Sequence, residues 1–69
     1  MADDRMVGKI CRVTGAIKQH SLGEVMVPVR GGTEHFHAYA VDREETIEKG
    51  ASVVVVEYYP PRTVIVTRM

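Results

Sequence analysis

The sequence has few of the residues that cross-link small proteins. Among its 69 residues there is one cysteine, Cys11, so the chain can form no internal disulfide and has no cysteine pair for a structural zinc site. Cys11 lies inside a predicted strand, and we expect a small buried or half-buried apolar residue there rather than a reactive thiol. A hydrophobic core must therefore stabilise the fold by itself.

An excess of charge of one sign and long apolar runs are also missing. Nine Lys and Arg balance nine Asp and Glu, and the zero net charge disfavours binding to nucleic acid or to an anionic membrane. The longest aliphatic run, Val53 to Val56, is far shorter than the roughly 20 apolar residues of a membrane-spanning helix. We expect a soluble, cytoplasmic chain without a signal peptide or direct membrane insertion, with residues 1–5 as a disordered tail and residues 6–69 as one domain.

Leucine is almost absent, and the residues that replace it favour a β-sheet protein. Leu22 is the only leucine, against twelve Val, four Ile and five Thr. Branching at Cβ costs rotamer freedom in a helix but packs well on a pleated sheet. Apolar alternation and turn residues predict five strands, over residues 6–14, 23–30, 33–41, 52–59 and 63–68.

Breaks in the alternation and turn residues predict the connections. The first strand contains Gly8 and loses its two-residue period, which predicts a bulge and strong curvature. The pair Gly31-Gly32 predicts a two-residue hairpin turn between strands two and three. In the loop after strand one, Ile17 and Leu22 are expected to fold back onto the core. Residues 42–50 predict a short helical turn between strands three and four, with an aspartate cap and a glycine end.

Five short strands in so small a chain predict closure into a barrel, because an open sheet would expose edges that promote aggregation. The order of elements is typical of an all-β, five-stranded Greek-key barrel of the OB type, and an SH3-like barrel is the alternative architecture. The predicted structural core takes one face of each strand and the curved start of the first. It comprises Gly8, Ile10, Val25, Val27, Phe36, Ala38, Val53, Val55, Val64 and Val66.

Residues suited to nucleophilic catalysis are scarce. The only serines are Ser21 and Ser52, and neither lies in a glycine-flanked elbow with a base nearby. The carboxylates Glu44 and Glu45 fall in the charged connection and are interpreted as a solvated face. We therefore predict no catalytic residue, no cofactor and no enzyme activity.

Two histidines form the sharpest chemical motif in the sequence. His35 and His37 are spaced i, i+2 on a predicted strand and therefore point to the same side. They could chelate a transition metal if His20, Glu24 or Glu34 supplied a third ligand. Because nothing assures that third ligand, we interpret them as exposed imidazoles and predict no metal site.

The same face is also a candidate for oligonucleotide binding. OB-type barrels use the outer side of strands two and three for nucleic acid, and there Arg30, His35, His37 and Tyr39 would supply a cation and stacking rings. The zero net charge and the neighbouring glutamates argue against this alternative.

Strands four and five carry apolar residues on both faces. Once one set fills the barrel, Val54, Val56 and Ile65 remain outside. A contiguous apolar strip on paired strands more often marks a contact surface than ordinary exposed area. We therefore predict that these residues contact a protein partner or a second copy of the chain.

Short apolar motifs follow one another in a fixed order over residues 6–67. They are Val7-Gly8-Lys9-Ile10-x-Arg12-Val13-Thr14, Gly23-x-Val25-x-Val27, Phe36-x-Ala38-x-Ala40, Ile47-x-Lys49-Gly50-x-x-Val53-x-Val55 and Val64-x-Val66. This succession resembles the C-terminal soluble domain of the NfeD family. Members of that family typically carry an aromatic residue, often Trp, at the position of Phe36.

The resemblance implies an OB-fold barrel that hangs from membrane-spanning segments and works with stomatin- or flotillin-like proteins. Longer relatives also carry a serine protease domain. We expect this chain to be an excised domain or a stand-alone relative, associated with membranes only through a longer protein or a partner. The expected function is a non-catalytic protein-interaction module. The alternative is an oligonucleotide-binding OB-fold protein that resembles the S1-like initiation factors.

Overall fold

The chain folds into a five-stranded barrel, seen in a computed structural model that describes residues 6–19, 21–42 and 44–69. The strands are β1 (Ile10–Gly15), β2 (Gly23–Val29), β3 (Gly32–Ala40), β4 (Ser52–Tyr59) and β5 (Thr63–Arg68). They close in the order β1-β2-β3-β5-β4. The predicted all-β barrel is confirmed, whereas the tail expected at residues 1–5 lies outside the described residues.

Four of the five ladders are antiparallel, and one parallel ladder completes the barrel. β1 pairs with β2 and β4, and β2 pairs with β3. β5 pairs with β4 in the antiparallel sense and with β3 in the parallel sense. Each of the five strands therefore has a partner on both sides along part of its length, which limits exposed sheet edges.

Irregularities in two ladders bend the strands around the barrel. The register of β1 against β2 shifts between Val13 and Gly15, so Thr14 is an extra residue. A bulge in the first strand is predicted from the sequence, but it lies at Thr14 rather than near Gly8, which precedes β1. A second shift, between Val55 and Glu57 in β4, was not foreseen. An extra residue increases local twist and curvature, which a small closed barrel requires.

The core is apolar throughout the described residues, where no polar or charged side chain is buried. It forms because successive residues of a strand point to opposite sides, and the inward sides of the strands carry β-branched or small residues together with Phe36 on β3. The buried hydrophobic residues are Met6, Cys11, Val13, Ile17, Val25, Val27, Phe36, Ala38, Ala40, Ile47, Val53, Val55, Val64 and Val66.

Two residues expected in the core lie at the surface. The prediction for Ile10 is wrong, because its side chain is 55% exposed. Val13 points inward, so Cys11 shares its face and Ile10 points out. Gly8 is exposed in a turn before β1, at a φ of 94°, and its N–H donates to the carbonyl oxygen of Val55 at 2.7 Å. Gly8 therefore contributes a backbone contact to β4 rather than core packing.

The loop after β1 contributes one core residue. Ile17 is buried and forms an isolated antiparallel bridge with Ile47, with N–H···O distances of 2.9 and 2.7 Å in the two directions. The expectation for Leu22 is wrong, since that side chain is 43% exposed. The second apolar plug therefore comes from Ile47, in the connection between β3 and β4.

That connection contains no helix in the described residues, which omit residue 43, and the predicted helical turn is wrong. Asp42 instead organises a tight turn, in which its Oδ1 accepts the N–H of Glu44 at 3.0 Å and its carbonyl accepts the N–H of Glu45 at 2.9 Å. The extended pairing of Ile47 with Ile17 outweighs the local helical signals, because it buries two large side chains.

The β2–β3 hairpin turn lies one residue earlier than predicted. Val29 pairs with Gly32, so the turn consists of Arg30 and Gly31. Gly31 has a φ of 86°, the left-handed region that glycine tolerates best. The turn presents the Arg30 side chain at the tip of the hairpin.

Candidate interaction surface

The outer face of β1, β4 and β5 carries a continuous strip of apolar side chains. Ile10 lies opposite Val54 in the β1–β4 ladder. On β5, Ile65 lies opposite the β4 bulge, where Val56 is the extra residue. We call these four residues, Ile10, Val54, Val56 and Ile65, the outer apolar band. At the end of the band next to β3, Ile65 pairs with the half-buried Tyr39.

The outer apolar band would contact a partner through its side chains rather than through its backbone groups. Ile10 is 55% exposed and Val56 37% exposed, while Val54 and Ile65 are half-buried. The sequence placed Val54, Val56 and Ile65 outside the barrel, and the structure gathers all three on one face. Ile10 was missed, although the inward phase of Val13 in the same strand would have indicated it.

One carboxylate lies within this apolar surface. Glu57 is exposed on β4, opposite Ile65, and its Oε1 accepts a hydrogen bond from the hydroxyl of Tyr59. This hydrogen bond and the negative charge of Glu57 raise the pKa of Tyr59. Among the described residues Glu57 forms no salt bridge. Nothing in the sequence singles out Glu57, because its neighbours depend on the bulge and on the β5 register.

The predicted ligand face on β3 is only partly assembled. His35 and His37 are exposed on the outer side of the strand, and Tyr39 follows at the same spacing. Arg30 lies apart from them, in the hairpin turn. Glu24 lies directly opposite His37 in the β2–β3 ladder. A carboxylate beside the rings opposes binding of a phosphate backbone.

Arg62 is a cation beside this face, and its guanidinium is engaged by contacts within the protein. Its Nη1 donates to the carbonyl oxygen of His35 at 3.1 Å and lies 3.4 Å from the carboxylate of Glu34. The guanidinium also lies over the ring of Phe36, 5.7 Å from the ring centroid. Arg62 therefore fastens the turn before β5 to β3, and less of its charge is available to a ligand.

The candidate metal ligands do not converge. In residues 6–19, 21–42 and 44–69 no three His, Cys, Asp or Glu side chains gather at one point. His20, a possible third ligand, lies outside these residues. An open depression beside the loop after β1 carries Lys18, Glu24 and His37, a mixed polar set without a shared target.

Cys11 is the one thiol of the chain and lies in the core wall on β1, where it is 3% exposed. Burial raises its pKa, and the nearby charge of Lys9 acts more weakly in the opposite direction. The thiol is therefore kept protonated, and its Sγ lies 3.7 Å from the carbonyl oxygen of Lys9. Since the thiolate is the reactive form, this environment suppresses nucleophilic chemistry.

We expect the folded barrel to lose stability as the pH rises above about 9, because the unfolded thiol ionises there while the folded thiol holds its proton. The contribution is complete below the unfolded pKa and declines as the pH rises toward the folded one. Tyr59 acts in the same direction at higher pH. Urea denaturation from pH 7 to 10.5 measures the decline, and Cys11→Ala should flatten it. An equal decline in the variant would contradict this origin.

The family model for the NfeD C-terminal domain matches residues 10–67. The chain belongs to the NfeD C-terminal domain family. The resemblance seen in the sequence is thereby confirmed, and the match runs from the first residue of β1 to within one residue of the end of β5. A comparison with curated proteins found no match.

Solved structures of NfeD-type domains have the same fold as this chain. The soluble domain of the NfeD protein YuaF from Bacillus subtilis is 29% identical, with a TM-score of 0.79 over 94% of this chain and 75% of that one. The C-terminal domain of stomatin operon partner protein 1510-C from Pyrococcus horikoshii is 30% identical, with a TM-score of 0.78 over 100% of this chain and 95% of that one. Within the part of the chain described, no helix has the length and apolar character needed to cross a membrane.

Proposed function

We propose that this NfeD-type domain is a non-catalytic interaction module that docks on a protein of the stomatin or flotillin type. The observation that carries the proposal is the outer apolar band, a surface that the barrel does not need for its own core. The name of one structural relative, a stomatin operon partner protein, supports the class of partner.

The barrel holds this surface in a fixed conformation, which favours binding without a large rearrangement. Ile10, Val54 and Ile65 lie on strands that are hydrogen-bonded to neighbours on both sides. A partner that docks on preformed strands loses less conformational entropy than one that must order a flexible loop. The domain therefore needs no chemical step and no large rearrangement to bind.

The chemistry of the described side chains favours binding over catalysis. The barrel interior holds apolar groups, and the one thiol is buried with a raised pKa. Oligonucleotide binding is weakened by the position of Glu24 beside His37 and by the contacts of Arg62 with Glu34 and His35. Binding through the outer apolar band, on β1, β4 and β5, requires none of these groups.

The proposal is tested by amide spectra of the ¹⁵N-labelled domain during titration with the soluble part of a stomatin-type protein from the same genome. We expect shifts and broadening at the amides of the outer apolar band. Combining Val54→Thr with Ile65→Thr should weaken binding about tenfold or more, since two apolar contacts are lost. Met26→Thr, on the outer face of β2, is the matched control and should bind normally.

Parallel titrations with a short single-stranded oligonucleotide and with zinc complete the test. Salt-sensitive shifts at Arg30, His35, His37 and Tyr39 on addition of the oligonucleotide, together with no response to the stomatin-type protein, would overturn the proposal. Binding of that protein at the band, with no response to either small ligand, would support it.

A further inference from the structure

The charge pattern of the outer face narrows what can dock there. Glu57 is the carboxylate inside the apolar surface, opposite Ile65, and it has no cationic partner among the described residues. Two cations near the edges are engaged within the protein. Lys9 donates to the carbonyl oxygen of Pro28 at 2.6 Å, and Arg68 donates to Glu45 at 2.9 Å. Arg12 is exposed on the same face of β1 as Ile10 and lies opposite Ser52, at the end of the band away from Glu57. The surface therefore presents apolar groups with a carboxylate at one end and a guanidinium at the other.

The closed barrel determines how a partner can use this surface. β1, β4 and β5 are each paired on both sides along part of their length, so little free edge is left here for a partner strand to extend. The partner must lay side chains on the sheet face. Three adjacent strands span about 10 Å, which is close to the diameter of about 10–12 Å of an α-helix with its side chains. A helix with apolar residues at i, i+3, i+4 and i+7 presents a stripe that fits this width.

A second copy of the chain is a poorer occupant. Ile10 is 55% exposed, Val56 37% exposed, and Val54 and Ile65 are half-buried, so these four side chains alone fall short of the roughly 800 Å² that each partner contributes to a standard stable interface. A two-fold dimer would also apply the same patch to itself and bring two Glu57 carboxylates into one apolar interface. Like charges desolvated together oppose association.

The carboxylate also selects among helices. A helix that covered Glu57 with apolar side chains alone would strip water from a charge without replacing that hydration. A Lys or Arg at the edge of the stripe would form a charge-assisted hydrogen bond to Glu57 and offset the desolvation. The favoured partner therefore carries a cation next to its apolar stripe.

We propose that the outer apolar band, with Glu57 beside Ile65 at one end, is a docking site for an amphipathic helix that carries a Lys or Arg beside its apolar stripe. This proposal rests on the proposed function and specifies the chemistry of the partner segment. The band supplies the contact area, and Glu57 supplies the preference for charge.

Three synthetic helical peptides test this site on the ¹⁵N-labelled domain. The peptides share one leucine stripe and differ at one flanking position, which is Lys, Gln or Glu. We expect the Lys peptide to shift the amides of Ile10, Val54, Glu57 and Ile65, and to bind about fivefold or more tightly than the Glu peptide. The Gln peptide should be intermediate.

Two substitutions of Glu57 distinguish charge recognition from non-specific apolar binding. Glu57→Gln should remove the preference among the three peptides, and Glu57→Lys should reverse it. Glu57 is an exposed strand position, so the rest of the spectrum should stay unchanged in both variants. Glu24→Gln, on the outer face of β2, is the matched control and should keep the Lys preference.

Several outcomes would overturn the helix site. They are equal affinity of the three peptides, shifts centred on His35 and His37, and band shifts that depend on protein concentration without peptide, which would indicate a dimer. If no peptide binds while the stomatin-type protein still shifts the band, the helix site fails and the interaction module stands. If that protein does not bind at all, the proposed function itself fails.

Discussion

Replacing Gly23 with alanine should remove a large part of the stability of the protein. Gly23 is buried at the start of β2, where a Cβ would lie 2.4 Å from Cγ1 of Ile17. It would also lie 2.8 Å from the Cα of Ile17 and from the carbonyl oxygen of Gly15. Backbone atoms cannot rotate away, so we expect a loss of about 3 kcal/mol or more, a large part of the stability of so small a domain. Urea denaturation followed by circular dichroism measures the loss.

Two variants show whether steric overlap is the cause. Gly50→Ala places a Cβ in open space at a φ of 94°, so only the backbone conformation opposes it, at about 1–2 kcal/mol. Adding Ile17→Ala to Gly23→Ala removes the Cγ1 contact but leaves both backbone contacts and also empties a core position, so stability should fall further rather than recover. A Gly23→Ala protein as stable as Gly50→Ala would refute this account.

Truncating Ile47 to alanine should cost about 3–4 kcal/mol, within the range for fully buried isoleucines. Ile47 has no exposed surface, and its backbone holds Ile17 through two hydrogen bonds. Removing the side chain leaves a cavity where two loops meet over the end of the barrel. A loss of 1 kcal/mol lowers the midpoint temperature of thermal unfolding by about 4–8 °C in a domain of this size. Ile47→Ala should therefore lower that midpoint by about 12 °C or more.

Ile10→Ala is the matched control for Ile47→Ala. The same atoms are removed from a side chain that is 55% exposed, and we expect a loss below about 1 kcal/mol. Comparable losses from the two substitutions would mean that the loops do not seal the barrel in the way described. A large loss of stability from Ile10→Ala alone would mean that Ile10 belongs to the core, as the sequence pattern predicts.

Strands with one clear apolar phase could be predicted from the sequence. Val25 and Val27 on β2, and Phe36 and Ala38 on β3, alternate with polar or exposed residues and are buried as expected. Ile10 could not be placed in the same way. Two adjacent residues of β1 are apolar enough for the core, and only the phase of the whole strand decides between them.

The connections depended on contacts that local patterns do not contain. The cap and charge signals around Asp42 are real, and the aspartate does hold a turn. The path beyond it is fixed by the bridge between Ile17 and Ile47, 30 positions apart in the chain. The prediction for Leu22 was wrong for the same reason, since the buried partner of Ile17 is Ile47, from the connection between β3 and β4.

The apolar part of the candidate site could be predicted from the sequence, whereas its charged part could not. The apolar run of β4 meant that Val54 and Val56 had to lie outside once their neighbours filled the barrel. The position of Glu57 within that surface could not be inferred, because it depends on a bulge and on the register of β5. The apolar area is therefore a property of composition, whereas the charge selectivity proposed for it is a property of the fold.

The double pairing of β5 bears on how the domain is made in the cell. β5 pairs with β3 on one side and with β4 on the other. While the ribosome is still synthesising residues 63–68, the growing chain has two unsatisfied strand edges and exposed valines. Newly made molecules should accordingly rely on holding chaperones during translation, and the barrel should close only after β5 has emerged from the exit tunnel.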